Sequence, residues 1–328
     1  MRLSWKRIAA VGLFALPSAM ATLPVHAAYP EQSIRWIVPY PAGGGSDFLA
    51  RTISNTLAQQ VGQTVLVENK PGGNTAIAAS DVARAKPDGY TVLSADNGTL
   101  IFNPALYSKL TYDPVKDLAP VTLLGNFPMI LVTGPNSGIN SLDDLIKQAR
   151  EKKGGGGLSY ASAGAGSPHH LAMELLNNEL DLGMVHIPYK GAAPSLTDVA
   201  GGQVPVMMVD LAAGAGFING GKVKPLAVAN PERLPQLPNV PTFAELGHPS
   251  IVAAAHVGVV TTAGTPKETI EEMNKVFVRA LNDPAVKQKL IDFGIQPVGN
   301  TPEEFRAMLE KETQRWHKLI KERGIKLD

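Results

Sequence analysis

Short apolar runs rich in β-branched residues alternate with helical patterns along this chain, and that alternation limits its possible folds more than any other feature. Residues 33–38 form a β-rich run ended by prolines, and residues 49–57 then carry apolar side chains four positions apart. Further strand-like runs follow at residues 64–68 and 90–94, with a helix of small residues predicted over about 75–85 between them. Strands that alternate with helices in this way predict a parallel α/β sheet.

A second series of strands and helices begins near residue 121. Residues 121–124 and 129–133 are predicted as strands, and Ser141–Asp144 resembles a capping box that opens a helix. Later strand-like runs lie near residues 158–162, 184–188, 203–209, 224–229 and 251–260. A chain of 328 residues also has the length of about two domains.

The last helix is predicted from its start signal and from an apolar stripe. Thr301 can cap a helix, Pro302 fits its first position, and two glutamates follow at the positive end of the helix dipole. We interpret the stripe as core packing. It consists of Phe305, Met308, Leu309, Trp316, Leu319 and Ile320.

The N-terminus has the three parts of a secretory signal peptide. Three basic residues precede an uncharged apolar stretch at 8–23, and Val25-His26-Ala27 ends in a small residue. We predict a signal peptide over residues 1–27 that is cleaved after Ala27. Cleavage after Ala28 is the second choice. The signal holds three of the 30 basic residues and none of the 29 acidic ones, so the mature chain has a net charge of −2. Nucleic acid is therefore not a predicted partner.

Composition excludes several kinds of site. The chain has no cysteine, which excludes disulfides, zinc–thiolate sites and cysteine nucleophiles. The adjacent His169 and His170 point about 100° apart on a helix and do not form a metal-binding pair. No phosphate-loop motif and no metalloprotease motif occurs. We therefore predict no metal, no cofactor and no enzymatic activity.

Two segments share one design, a strand followed by a glycine-rich turn and a helix start. These segments are residues 39–47 and 162–170. Glycine lets the backbone approach a ligand closely, and the free N–H groups of a helix start favour an anion. The alternative is that both turns are only tight connections. Asp47 and Ser167 are interpreted first as helix caps, since both residue types favour that role.

The chain resembles the substrate-binding proteins of tripartite tricarboxylate transporters, the Bug family, from about Tyr29 to Asp328. The resemblance rests on blocks that agree in order and spacing. These blocks are Ile34-Arg35-x-Ile37-Val38-Pro39-Tyr40-Pro41-Ala42-Gly43-Gly44-x-x-Asp47, Glu68-Asn69-Lys70-Pro71-Gly72-Gly73-Asn74, Asn103-Pro104-Ala105-Leu106-Tyr107, Ser167-x-x-His170-Leu171, Pro188-Tyr189-Lys190-Gly191 and Ala263-Gly264-Thr265-Pro266. Residues 96–102 and 255–258 depart from the family pattern, which leaves the ligand's identity open.

The resemblance implies a type II periplasmic binding protein, in which two α/β lobes close on a ligand like a Venus flytrap. The hinge crossovers are expected near 121–130 and 251–260. Lobe 1 would then comprise residues 28–125 plus 253–328, and lobe 2 would comprise residues 126–252. The two glycine-rich turns would be the ligand pincers, holding a carboxylate largely through main-chain groups.

The resemblance also implies a function and a set of ligand-binding residues. The expected protein is a monomer in the periplasm that captures a small organic carboxylate and delivers it to the membrane subunits of a tripartite tricarboxylate transporter. A sensor role for the ligand-loaded protein is one alternative, and a periplasmic hydrolase using Ser167 and His170 is the other. The candidate ligand-binding residues are Tyr40, Ala42, Gly43, Gly44, Ser46, Asp47, Thr99, Ser162, Gly164, Gly166, Ser167, His170 and Asp210.

Overall fold

A ten-stranded mixed sheet runs through the computed structural model, which describes residues 29–328. The predicted signal peptide lies outside these residues. The strands are β1 (Ile34–Val38), β2 (Val65–Asn69), β3 (Thr91–Asp96), β4 (Leu118–Thr133), β5 (Ser159–Ser162), β6 (Val185–Pro188), β7 (Val206–Asp210), β8 (Lys224–Val228), β9 (Ala254–Thr262) and β10 (Gln296–Pro297).

Helices follow most of the strands, as the alternation predicts. They are α1 (Gly45–Val61), α2 (Ala76–Ala83), α3 (Asn103–Leu106), α4 (Leu142–Lys152), α5 (Pro168–Glu179), α6 (Ala192–Ala200), α7 (Leu211–Asn219), α8 (Lys267–Leu281), α9 (Pro284–Asp292) and α10 (Pro302–Glu322). A 3-10 turn at Gly73–Thr75 precedes α2, and a π-helical turn at Gly98–Phe102 precedes α3. Within residues 29–328, no helix is both long enough and apolar enough to cross a membrane.

The sheet consists of two parallel parts joined by antiparallel strands. Its order is β2-β1-β3-β9-β4-β7-β5-β6, with β8 and β10 also paired to β4. Strand β1 is parallel to β2 and β3, and β5 is parallel to β6 and β7. We call the part built on β1–β3 the first lobe and the part built on β5–β7 the second lobe. The predicted α/β fold with two lobes and a hinge is confirmed.

Strand β4 connects the lobes. Its first part, to Pro128, pairs with β9, and its last part, from Met129 to Thr133, pairs with β7 and β8. The sequence predicted two separate strands, at 121–124 and 129–133. That separation was wrong, because both runs lie in the single strand β4. Gly125 and Pro128 are residue types that favour turns, but both pair with β9: the register shifts between Leu123 and Gly125, and Pro128 pairs in register with Ala254.

The C-terminal helix packs as its sequence predicts. The Thr301 hydroxyl accepts from the Glu304 N–H and the Glu304 carboxylate accepts from the Thr301 N–H, so both halves of a capping box are present. Four of the six residues of the predicted stripe are buried in the main core cluster, and Met308 and Leu309 pack against it. Burial of each large side chain stabilises the fold by roughly 1.5–3 kcal/mol. The buried four are Phe305, Trp316, Leu319 and Ile320.

Candidate functional site

The first glycine-rich turn presents main chain at the start of α1. Residues 41–44 are exposed, and Gly44 occupies the capping position without a side chain that could bond the free N–H groups. Gly43 has φ +86, a left-handed conformation that favours glycine. The turn therefore leaves an exposed helix start of the kind that attracts anions.

Asp47 holds this turn from inside the helix. Its carboxylate accepts hydrogen bonds from the Gly43 N–H at 2.9 Å, the Asn69 amide at 2.8 Å and the Arg51 guanidinium at 3.0 Å. Burial raises the pKa of Asp47, but the bonds from Arg51, Gly43 and Asn69 outweigh burial and leave the pKa below its usual value. The prediction that Asp47 caps the helix was wrong, because Gly44 occupies the capping position; Asp47 instead supports the turn from the third helical position by accepting from the Gly43 N–H.

Tyr40 and Thr99 converge on a buried carboxylate behind the first turn. The Tyr40 hydroxyl donates to Asp96 at 2.5 Å, and the Thr99 hydroxyl donates to Asp96 at 3.0 Å. Burial raises the pKa of Tyr40, and the Asp96 charge raises it further. Thr99 has no exposed surface, and its hydroxyl also contacts Thr75. Both side chains therefore bond to protein groups rather than presenting a free polar atom.

The second glycine-rich turn joins β5 to α5. Gly164 and Gly166 adopt φ +139 and +77. The Ser162 hydroxyl accepts from the Gly164 N–H at 3.1 Å, and the Ser167 hydroxyl caps α5 by accepting from the His170 N–H at 3.2 Å. The predicted capping role of Ser167 is confirmed. Ser162 itself has no exposed surface, so it shapes the turn from within.

Ser167 and His170 lack the geometry of a nucleophile and base. The Ser167 hydroxyl donates to the Gly164 carbonyl at 2.7 Å, while His170 Nδ1 accepts from the Gly166 N–H at 3.1 Å. Neither bond joins a ring nitrogen of His170 to the Ser167 hydroxyl, as a base that activates a nucleophile would require. The hydrolase alternative therefore has no support in this arrangement.

Stacked aromatic rings support the second turn from behind. The His170 and His186 rings stack with centroids 3.8 Å apart, and Tyr160 lies against His186 at 5.1 Å. His186 Nε2 also contacts the Ser162 hydroxyl at 2.6 Å. Burial lowers the pKa of His170 to about 3, with the facing His186 contributing, and burial lowers that of His186 to about 4.

Acidification is expected to destabilise the protein through this pair. A histidine whose pKa is lowered by folding stays neutral in the folded state while the unfolded chain takes up protons below about pH 6.5. Stability is therefore unaffected by His170 well above pH 6.5, and about 3 kcal/mol is lost by pH 4.5. Urea unfolding at pH 7.0, 5.5 and 4.5 measures the loss. The variant His170→Asn/His186→Asn should show a shallower dependence; an unchanged dependence would contradict this assignment.

A third helix start, that of α7, bonds to the second turn. Asp210 caps α7 by accepting from the Ala213 N–H at 3.0 Å, and its other oxygen lies 3.0 Å from His169 Nε2. Burial raises the pKa of Asp210, but the bonds from His169 and Ala213 outweigh it and lower the pKa. Sequence reasoning singled out Asp210 but missed His169, because the two residues are 41 positions apart.

The start of α7 also meets the first turn. A methyl group placed on Gly45 would lie 3.5 Å from the Ala212 Cβ, and one on Gly294 would lie 2.6 Å from the Leu211 Cβ. The second glycine-rich turn also packs against the first lobe. Gly166 approaches Asn74 so closely that a methyl group on Gly166 would lie 2.9 Å from the Asn74 amide nitrogen. The starts of α1, α5 and α7 are thus grouped where the two lobes meet.

The other groups at the site are polar. Within residues 29–328, no three histidine, aspartate or glutamate side chains are grouped closely enough to hold a metal ion. The anion-attracting groups at the lobe junction are main-chain N–H groups, with hydroxyl and imidazole side chains and the carboxylates of Asp47 and Asp210 beside them. Such a site can bind and orient an anion, and it lacks an arrangement for nucleophilic catalysis.

Known proteins match the chain over nearly its full described length. A family model described as "Tripartite tricarboxylate transporter family receptor" matches residues 49–325. Protein BugT of Bordetella pertussis is 35% identical over 322 residues, which are 98% of each chain. Rpa4515 of R. palustris, solved with adipate, is 33% identical with a TM-score of 0.83, covering 91% of this chain and 100% of its own.

A second solved structure supports the same family. MatC (Rpa3494) from Rhodopseudomonas palustris, solved with bound malate, is 31% identical with a TM-score of 0.79, covering 89% of this chain and 100% of its own. The family model describes transporter receptors, and a further solved relative, BugD, is a periplasmic binding protein with 32% identity and a TM-score of 0.80 over 91% of this chain and 100% of its own, so the prediction that the chain is not an enzyme is confirmed. The chain belongs to the tripartite tricarboxylate transporter receptor family, which includes the Bug proteins and whose members are periplasmic solute-binding proteins.

Proposed function

We propose that this protein captures a small organic mono- or dicarboxylate between its lobes and delivers it to the membrane subunits of a tripartite tricarboxylate transporter. The observation that carries the proposal is the grouping of the starts of α1, α5 and α7 at the lobe junction. Free N–H groups and helix dipoles at such starts stabilise negative charge without a lysine or arginine.

The solved relatives support a carboxylate as the ligand. Rpa4515 was solved with adipate and MatC with malate, both of which are dicarboxylates. Both proteins share about a third of their residues with this chain over about nine-tenths of its length. A ligand with carboxylates at both ends suits a site that has helix starts on both lobes.

Closure of the lobes would couple capture to a change of shape. We place lobe 1 at residues 28–125 plus 253–328 and lobe 2 at residues 126–252. The Gln236 amide contacts the Ile291 carbonyl across that boundary, in addition to the contact of Gly45 with Ala212. A ligand that bonds to both lobes only when they are together favours the closed state. We further propose that the protein acts as a monomer, exported to the periplasm by the signal peptide at 1–27.

A thermal-shift screen against organic acids tests the proposal. Ligands that bind only the folded state stabilise it by RT ln(1 + [L]/Kd), about 2.7 kcal/mol at a hundredfold excess over Kd. A carboxylate that binds is therefore expected to raise Tm by about 5 °C at that excess. The methyl ester of the same acid, with every carboxylate esterified, is the control and should leave Tm unchanged. The absence of any shift with mono- and dicarboxylates, acidic amino acids and aromatic acids would contradict the proposal.

A further inference from the structure

Ser46 and His169 occupy equivalent positions on α1 and α5, the helices that follow the two glycine-rich turns, and each carries a buried polar atom that has no partner within the described residues. Ser46 is the second residue of α1 and His169 is the second residue of α5. Within residues 29–328, neither the Ser46 Oγ nor the His169 Nδ1 has a hydrogen-bond partner, and both atoms are shielded from solvent. Buried polar atoms in folded proteins are nearly always bonded, so two such atoms at one junction point to a ligand that satisfies them.

Asp210 fixes which of the two imidazole nitrogens of His169 carries the proton. The Asp210 carboxylate lies 3.0 Å from His169 Nε2 and can only accept, so Nε2 must donate. In the neutral imidazole the other nitrogen, Nδ1, is then a bare acceptor. The Asp210 carboxylate is itself fixed by the Ala213 N–H at the start of α7. In this tautomer Nδ1 of His169 is an acceptor, which complements the hydroxyl donor of Ser46.

The position of His169 places this acceptor at the lobe junction. Asp210, its partner, precedes Leu211 and Ala212, the residues of α7 that approach the first lobe at Gly294 and Gly45. Ser46 directly follows Gly45. Only 13% of the His169 side-chain surface is exposed. A ligand held by the two pincer turns would therefore lie beside both unpartnered atoms.

We propose that His169 is a specificity-determining residue whose Nδ1 accepts a hydrogen bond from a hydroxyl or amino substituent of the bound carboxylate. This inference rests on the proposed function. The protein would then select carboxylates that carry such a donor over the same acids without one. An unsubstituted acid leaves Nδ1 unpaired in the closed site, and an unpaired buried acceptor is expected to weaken binding about tenfold.

Matched pairs of acids that differ by one hydroxyl test the inference by calorimetry. The pairs are lactate with propionate, malate with succinate, and 2-hydroxyglutarate with glutarate. The wild-type protein is expected to bind the hydroxy acid of at least one pair about tenfold more tightly than its partner. In His169→Leu the ratio should fall to about one, mainly because the hydroxy acid binds more weakly. His248→Leu, a histidine away from the junction, is the matched control and should keep the wild-type ratio.

A second variant keeps the test usable if His169→Leu does not fold. His169→Gln retains an amide donor for Asp210 and a carbonyl acceptor, and we expect it to retain part of the preference. Equal binding within each pair by the wild-type protein, or an unchanged preference in His169→Leu, would overturn the inference while leaving carboxylate capture intact. Failure of all six acids to bind the wild-type protein would overturn this inference, and failure of the wider acid screen as well would overturn the proposed function.

Discussion

Replacing Asp47 with alanine is expected to lower the free energy of unfolding by about 3 kcal/mol and to weaken carboxylate binding at least tenfold. The Asp47 side chain is 6% exposed and accepts from the Gly43 N–H and the Asn69 amide as well as from Arg51. Its removal loses two hydrogen bonds to a charged acceptor, and bonds of this kind contribute about 1.5–3 kcal/mol each. Binding suffers because the same bonds fix the turn that presents the N–H groups of α1.

Arg51→Ala is the matched comparison for Asp47→Ala. Arg51 is 49% exposed, so its ion pair with Asp47 is screened by solvent and contributes less than about 1 kcal/mol. Urea unfolding measures stability, and calorimetry with the acid that gives the largest thermal shift measures affinity. If both variants lose equal stability, or if Asp47→Ala binds that acid as the wild type does, Asp47 does not hold the turn in the way its contacts imply.

Features that depend on neighbouring residues in the chain were predictable from the sequence. The cap at Ser167 and the capping box at Thr301 each need residues only three positions apart, and both are present. The two glycine-rich turns were also predictable, because glycine at those positions permits the left-handed backbone that the turns require. The order of strands and helices therefore followed from local chemistry together with hydrophobic periodicity.

Contacts between distant residues escaped prediction. The pairing of His169 with Asp210 and the burial of Glu174 against Arg323 join residues 41 and 149 positions apart. Local patterns hold no information on such partners, because tertiary packing alone brings them together. The continuity of β4 through Pro128 is similar, since its pairing with β9 outweighs the local turn composition. Polar partners of predicted ligand residues were hidden for the same reason, such as Asp96, which accepts from Tyr40 across 56 positions of the chain.

Arg323→Met is expected to lower the free energy of unfolding by about 3 kcal/mol, because it leaves the buried Glu174 carboxylate without its cation. The Arg323 guanidinium, directly after α10, donates to Glu174 of α5 at 2.6 Å, and the Glu174 side chain is 7% exposed. The Tyr160 hydroxyl donates to the same carboxylate. This cluster fastens the C-terminal helix to the helix that carries the second pincer turn, so its loss should destabilise both elements.

The double variant Glu174→Gln/Arg323→Met separates the lost charge pair from lost packing. Glutamine keeps an acceptor for the Tyr160 hydroxyl but carries no charge, so the double variant should recover most of the stability that Arg323→Met loses. Lys321→Met removes an exposed cation from the same helix and is expected to change stability by less than about 0.5 kcal/mol. Urea unfolding of the four proteins at pH 7 gives the comparison. Equal losses in the single and double variants would mean that the Arg323 stem, rather than its charge, stabilises the contact between α10 and α5.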